Sequence, residues 1–133
     1  MTGSEQSDPI GAVRAFVEGF NNDDVEAMQA ACTDDTSIID DFPPHQWLGT
    51  GATTRWYRDM AEWATGYDMA DWSVLLGEPR HVTVSGADAY LVVLFAARWL
   101  EEGQPAERKG SLAVALRENV LQWRVCALAW TWD

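Results

Sequence analysis

Apolar residues recur every three or four positions in three stretches of the first half of the chain, which is typical of amphipathic helices. Pro9 begins the first stretch, and Asp8 precedes it in the position of an N-cap. A short second helix is predicted next, with Asp23 and Glu26 spaced as in a capping box. A third helix is predicted over about residues 52–65.

In the second half of the chain, apolar residues alternate with polar or smaller ones, beginning with Trp72, Val74 and Leu76, which predicts strands. An earlier short strand follows a predicted turn over residues 33–36. The predicted strands are residues 37–41, 80–84, 89–101, 106–117 and 121–132. Because helices precede strands, the order favours an α+β fold in which three N-terminal helices pack on a curved antiparallel sheet. Such a sheet encloses a cone, and the mouth of the cone is a natural ligand site.

The chain of 133 residues fits one domain, which we place at residues 8–133, after a flexible lead over residues 1–7. No basic and apolar leader begins it and no apolar run reaches membrane-spanning length, so we expect a cytoplasmic protein. Cys32 and Cys126 lie among apolar neighbours and are predicted to be buried free thiols. Without a C-x-x-C or His-rich spacing, we predict no metal and no other cofactor.

Charge narrows the choice of partners. The chain carries 21 acidic and 9 basic side chains, a formal net charge of -12. Such a surface repels phosphate backbones and anionic lipids, so we expect no nucleic-acid partner and no membrane partner. The remaining candidate partners are small molecules and a second copy of the chain.

The most informative acidic pair is Asp40-Asp41, directly after the apolar residues Ile38 and Ile39. If those two enter a core, one carboxylate must lie at the edge of apolar surroundings, where burial raises its pKa. A carboxyl group in that state is a candidate general acid or base. The alternative is that Asp40 simply caps the turn after the strand. In a regular strand Asp41 would point the other way, into solvent.

Four segments give the chain a family resemblance. They are residues 16–24 (FVEGFNNDD), 33–41 (TDDTSIIDD), 49–51 (GTG) and 122–125 (QWRV). In their order and spacing they resemble the NTF2-like superfamily, and within it the SnoaL-like and ketosteroid-isomerase-like branch. The resemblance covers nearly the whole chain and implies the cone-shaped α+β fold. It does not decide the function, because the superfamily includes several enzyme classes and domains with no chemistry.

The resemblance also implies roles for single residues. Asp40 falls where ketosteroid isomerases place their general base. The tyrosine that donates to the enolate oxygen in those enzymes corresponds here to Phe16, and the protonated aspartate beside it falls near Leu112. Both oxyanion donors are therefore expected to be absent, which argues against steroid isomerisation by that mechanism.

His45 is the second candidate catalytic residue. It lies five residues after Asp40 across Pro43-Pro44, a stiff turn that could fold it back to form an acid–base dyad. The alternative is a histidine on a mobile loop.

Aromatic and basic residues supply the candidate substrate-binding set. Phe42 and Trp47 are predicted to lie at the pocket rim, and Tyr57 to offer its hydroxyl inward. Trp56 and Trp63 are better explained by helix-to-sheet packing, although Trp56 is kept as a candidate. The full substrate-binding set is Phe16, Phe42, Trp47, Trp56, Tyr57, Tyr90 and Arg98.

The strand pattern also predicts the assembly. In a regular last strand, Trp130 and Trp132 share a face with Arg124 and Cys126. So much aromatic surface on an outward face would be costly in a monomer, so we predict a homodimer through the sheet. Three functions remain open: a cofactor-independent acid–base enzyme (isomerase, cyclase or dehydratase) acting on a small hydrophobic, cyclic or polyketide-like molecule; a non-catalytic binder of such a molecule; and a dimerising scaffold.

Overall fold

The computed structural model describes residues 8–133, so the lead predicted for residues 1–7 lies outside the described residues. The described chain forms three helices and six strands. In chain order they are α1 (Pro9–Asn21), α2 (Val25–Ala30), β1 (Cys32–Ile39), β2 (Gln46–Leu48), α3 (Ala52–Gly66), β3 (Met69–Ser85), β4 (Asp88–Glu101), β5 (Gln104–Asn119) and β6 (Gln122–Trp132).

The helix starts follow from local capping. The side chain of Asp8 accepts a hydrogen bond from the Gly11 N–H at 2.8 Å, as predicted, which satisfies a donor that the first turn cannot use. The cap of α2 was predicted one residue too early. Asp24, not Asp23, accepts from the Ala27 N–H at 3.1 Å, and Asp23 takes a left-handed backbone conformation.

Most of the strands are longer than predicted. Residues 33–36 belong to β1 rather than to a turn, and the loop after it contains the short β2. The sheet order is β2-β1-β6-β5-β4-β3. Four of the five neighbouring pairs are antiparallel, and β1 runs parallel to β6, so the sheet is mixed and mostly antiparallel.

One bulge changes which side chains face the core. Ala115 pairs with Ala127 but Leu116 pairs with Val125, so Cys126 is an extra residue in β6. An extra residue reverses the alternation of all residues beyond it. The prediction that Trp130 and Trp132 face outward with Arg124 is therefore wrong: both indoles lie on the inner side of the sheet.

The helices cover one face of this sheet, with α1 packed on β3 and β6 and α3 packed on β1. The predicted α+β fold is confirmed in its class, its three helices and its sheet. Both cysteines are free, Cys32 buried and Cys126 half-buried. Within residues 8–133, no helix is long and apolar enough to cross a membrane.

Candidate functional site

A cavity of about 170 Å³ lies between the helices and the inner face of the sheet. Its lining comes from α1, α3, four strands and the segment after β1, so distant parts of the sequence meet there. Aromatic side chains dominate. The lining residues are Phe20, Asp40, Asp41, Phe42, Trp56, Met60, Trp63, Met69, Trp72, Val74, Trp99, Arg108, Trp130 and Trp132.

Asp40 is the buried carboxylate of this cavity, with 6% of its surface exposed. It follows directly after the last residue of β1, and its side chain lines the cavity. Its Oδ1 accepts hydrogen bonds from the Asp41 backbone N–H at 2.8 Å and from the Trp132 indole N–H at 3.1 Å. Its Oδ2 accepts from the Trp56 indole N–H at 2.9 Å. The carboxylate is thus fixed from a strand, a helix and its own backbone.

Burial raises the pKa of Asp40 above its ordinary value of 3.8. The hydrogen bonds from Trp132, Trp56 and the Asp41 backbone act in the opposite direction, because they stabilise the charged form. Desolvation is the largest contribution, so the net direction is upward. A carboxyl group that holds its proton more tightly than usual is suited to exchange it with a bound molecule.

One acceptor position of Asp40 is left free. A carboxylate offers about four lone-pair positions, two on each oxygen. Within the described residues, both positions on Oδ1 and one on Oδ2 are used. The second position on Oδ2 can take a proton or accept a hydrogen bond from a ligand.

The aromatic lining is ordered by ring contacts. Trp72 stacks on Trp99 with centroids 4.3 Å apart, and Trp130 stacks between Trp56 and Trp132 at 5.5 and 6.2 Å. Phe42 stacks on Trp63 at 5.3 Å. We call the aromatic side chains of the lining, six Trp and two Phe, the aromatic wall: Phe20, Phe42, Trp56, Trp63, Trp72, Trp99, Trp130 and Trp132.

Phe95 supports the aromatic wall from behind, with its ring edge-on to Trp130 at 5.2 Å and to Trp132 at 5.0 Å. The ring lies across β5 at Gly110, where a Cβ atom would come within 2.8 Å of Phe95 Cζ. Gly110 is therefore required by the close approach of this ring.

A charged pair lies at the edge of the cavity. Arg108 is 3.8 Å from Asp41, and its guanidinium lies over the Trp132 ring at 5.4 Å from the centroid. Both side chains are exposed, so the ion pair contributes little to stability. The pair places one positive and one negative group, Arg108 and Asp41, beside the opening of the cavity.

Two indole N–H groups of the wall have no hydrogen-bond partner within residues 8–133, those of Trp72 and Trp130. Both nitrogens are shielded from solvent. An unpaired buried donor costs about 1–3 kcal/mol, so each of these two groups lowers the stability of the folded protein.

The structure does not form the predicted dyad. His45 is exposed and does not line the cavity. Its Nδ1 lies 3.1 Å from the backbone carbonyl oxygen of Asp40, not at the carboxylate. Pro43-Pro44 does turn the chain back, but the backbone of residues 40 and 45 pairs and leaves the imidazole outside.

Of the seven predicted substrate-binding residues, Phe42 and Trp56 line the cavity. Phe16 is fully buried core beneath Trp56, and Leu112 is also fully buried; both side chains are apolar, so neither position supplies a polar donor. Trp47 is buried as well, donates to Asp59 at 2.8 Å and packs against Phe42. The prediction that Phe16 and Trp47 contact a ligand in the pocket was wrong, because both side chains are buried against their neighbours in the core.

The other three predicted residues also lie outside the cavity lining. The Tyr57 hydroxyl donates to Asp23, and burial together with that carboxylate raises the pKa of Tyr57 to about 12. Tyr90 is 46% exposed and belongs to the outer sheet face. Arg98 is exposed and lies 3.8 Å from Glu107. These residues were misplaced because spacing alone does not fix which face a side chain takes.

Sequence reasoning missed most of the aromatic wall. Trp72 was identified only as part of an alternating strand, and the bulge at Cys126 concealed the inward direction of Trp130 and Trp132. Arg108 carried no signal at all. Within residues 8–133 no three His, Cys, Asp or Glu side chains are grouped so that they could hold a metal ion.

Comparison with solved structures supports the fold. The chain is similar to a ketosteroid isomerase-like protein from Erwinia carotovora atroseptica, with a TM-score of 0.74 and 18% identity over 97% of this chain and 96% of that one. An NTF2-like superfamily protein from Salmonella enterica gives 0.73 and 13% over 92% and 86%. A suggested dehydratase of the NTF2-like family from Streptomyces avermitilis gives 0.74 and 15% over 92% of each chain.

No curated protein matches the chain significantly. A family model does: the SnoaL-like domain matches residues 11–127, which include both Asp40 and most of the aromatic wall. Since that match covers far more than half of the chain, and the helices, the sheet and the similar structures agree with it, the chain belongs to the SnoaL-like domain family, and its fold is NTF2-like.

Proposed function

We propose that this protein is a cofactor-independent enzyme in which Asp40 transfers a proton to or from a small, largely apolar molecule held in the cavity. The reaction class is isomerase, cyclase or dehydratase chemistry. The observation that carries the proposal is the state of Asp40: buried in an aromatic cavity, fixed by two indole N–H groups, and left by residues 8–133 with one free position on Oδ2.

The state of Asp40 differs from that of a turn cap. A turn-capping Asp points its carboxylate at nearby backbone N–H groups and into solvent. Here one backbone N–H and two distant side chains converge on the carboxylate. Fixing a base in this way removes the reorganisation that would otherwise accompany proton transfer.

The cavity volume limits the substrate. An apolar cavity of ~150 Å³ holds one benzene-sized molecule. A cavity of about 170 Å³ therefore accommodates one ring or a comparably small group, and a steroid or a large polyketide would extend into solvent. We accordingly narrow the substrate to a small molecule, or to the reacting end of a larger one.

The second candidate is a non-catalytic protein that binds a small hydrophobic molecule. The apolar side chains of Phe16 and Leu112 favour it, since these two positions lack donors that would stabilise an oxyanion. The two functions differ in one respect only, which is whether a proton moves.

Deuterium exchange distinguishes them. Small ligands found by thermal shift are incubated with the protein in D₂O, and loss of ligand C–H signals is followed by proton NMR. Exchange that falls by about 10²–10⁴-fold in Asp40→Asn supports the enzyme. The matched control is Asp34→Asn, because Asp34 is an exposed carboxylate of β1 outside the cavity lining. Ligands that bind but never exchange support the binding protein.

We also propose a homodimer through the outer sheet face, although not for the reason the sequence suggested. That face carries Ile39, Tyr90 and Leu94, which are 47%, 46% and 40% exposed, beside small alanines of β5 and β6. An exposed apolar surface of this kind favours association with another sheet. The cytoplasm remains our prediction for the compartment.

A further inference from the structure

We propose that the cavity selects ligands that carry a positive charge: a small organic cation, either a quaternary ammonium group or a protonated amine on one ring. The inference rests on the proposed ligand site and names the class of molecule that it takes. It follows from three features of the lining, which are its charge, its aromatic surface and its size.

The charge of the lining is negative. It contains two carboxylates, Asp40 and Asp41, and one cation, Arg108. Arg108 is paired with Asp41 at the edge. Asp40 forms no ion pair with any Lys, Arg or His within residues 8–133; its partners are neutral N–H groups. A buried carboxylate without a counter-ion is costly, and a cationic ligand would supply that counter-ion.

The aromatic wall suits the same ligand. Indole is the best of the aromatic side chains at binding cations through its ring face, and six of the eight tryptophans of the chain lie in the lining. The protein already shows this interaction at the cavity edge, where the Arg108 guanidinium lies over Trp132. Within the cavity, where water is scarcer, such a contact is stronger than at the surface.

Size and charge favour a cation over the other ligand classes. About 170 Å³ holds a trimethylammonium group with a short tail or a single ring with an amine. An anion would face the unpaired carboxylate of Asp40 and a protein of net charge -12. A neutral molecule fits the wall but leaves Asp40 without a counter-ion. A cation can contact the ring faces of the wall and can also supply the counter-ion of Asp40.

A pair of probes that differ only in charge tests the inference. Choline and 3,3-dimethylbutan-1-ol have the same shape, with a quaternary nitrogen in one and a carbon in the other. Binding of each to the full chain is measured by calorimetry and by tryptophan fluorescence, which reports on the cavity because most of the tryptophans line it. We expect choline to bind at least about tenfold tighter.

Variants of the lining residues test whether the preference for choline arises in the cavity. In Asp40→Asn the preference for choline over the alcohol is expected to shrink towards equality, whereas Asp34→Asn removes the same formal charge from an exposed position and keeps the preference. Should Asp40→Asn fail to fold, Trp72→Leu removes one ring of the wall and is expected to weaken choline more than the alcohol.

The outcomes separate this inference from the proposed function. Equal affinity, or tighter binding of the alcohol, overturns the cation inference and leaves the cavity as a site for neutral molecules. Binding of neither probe, nor of benzylamine or benzyl alcohol, at millimolar concentration overturns both. A preference for choline that persists unchanged in Asp40→Asn and in Trp72→Leu places the cation elsewhere and also overturns the inference.

Discussion

The indole N–H of Trp132, in β6, donates a hydrogen bond to Oδ1 of Asp40 at 3.1 Å, across 92 residues of chain. Trp56 of α3 donates to the other oxygen. The two indoles hold the carboxylate in one orientation, and the described part of the chain leaves a single position open on Oδ2. The carboxylate of Asp40 thus connects β6, α3 and the end of β1. These segments are far apart in the sequence, so the site exists only in the folded chain.

Replacing Trp132 by Phe should raise the pKa of Asp40 further. The ring stays, but a hydrogen bond that lowers the pKa is removed while burial still acts to raise it. The midpoint for Asp40 is measured by following its carboxyl carbon by NMR as pH is varied. Trp99→Phe is the matched control, because the Trp99 indole donates to Glu101 rather than to Asp40. A midpoint that moves to lower pH in Trp132→Phe would contradict the proposed contact.

The raised pKa of Asp40 gives stability a defined pH dependence. A carboxyl group with a higher pKa in the folded state binds more protons when folded than when unfolded, so its contribution to stability falls as pH rises. The contribution is fully present below the ordinary value of 3.8 and is lost as pH rises through the folded-state pKa.

We therefore expect the free energy of unfolding of the wild type, minus that of Asp40→Asn, to decrease with pH over this interval. Urea unfolding at a series of pH values measures both. An increase with pH would show that the two indoles outweigh burial and that the pKa of Asp40 is lowered.

Gly110→Ala should destabilise the protein by about 1–3 kcal/mol, the usual range for overpacking a core. The new Cβ would lie 2.1 Å from the Thr131 carbonyl oxygen and 2.8 Å from Phe95, so the support of the aromatic wall must shift. Gly66→Ala is the control: nothing lies within 4 Å of its Cβ position and it is in α3, so it should be neutral or stabilising. Urea denaturation of both variants checks this, and similar midpoints would refute it.

Ala113→Arg should weaken the proposed homodimer. Ala113 lies on the outer sheet face beside Ala129 and Val92, and a buried unpaired guanidinium there would be costly in a sheet-to-sheet interface. Sedimentation equilibrium is expected to show a dimer for the wild type and for Ala61→Arg, a matched substitution on the exposed surface of α3, and a monomer for Ala113→Arg. A wild type of 14.8 kDa in solution would exclude the dimer.

The fold class could be predicted because it depends on local patterns. Asp8 and Pro9 mark the start of α1, and the change from helical to alternating spacing separates helices from strands. Capping and periodicity act over a few residues, so the chain itself contains their cause. Prediction failed where neighbours in space decided the outcome, as for residues 33–36, which lie in β1 between Cys32 and Ser37, the residues that pair with β6 on either side of a shift in register.

By itself, the sequence determined the α+β class, the position of an acidic pair directly after an apolar strand, and the excess of aromatic residues and negative charge. Only the tertiary structure decided which aromatic residues surround Asp40. The extra residue at Cys126 turns Trp130 and Trp132 inward, and a bulge depends on how two strands pair rather than on either strand alone. Packing likewise buries Phe16 and Trp47 in the core and leaves His45 exposed. The burial of each side chain depends on neighbours that are distant in the sequence.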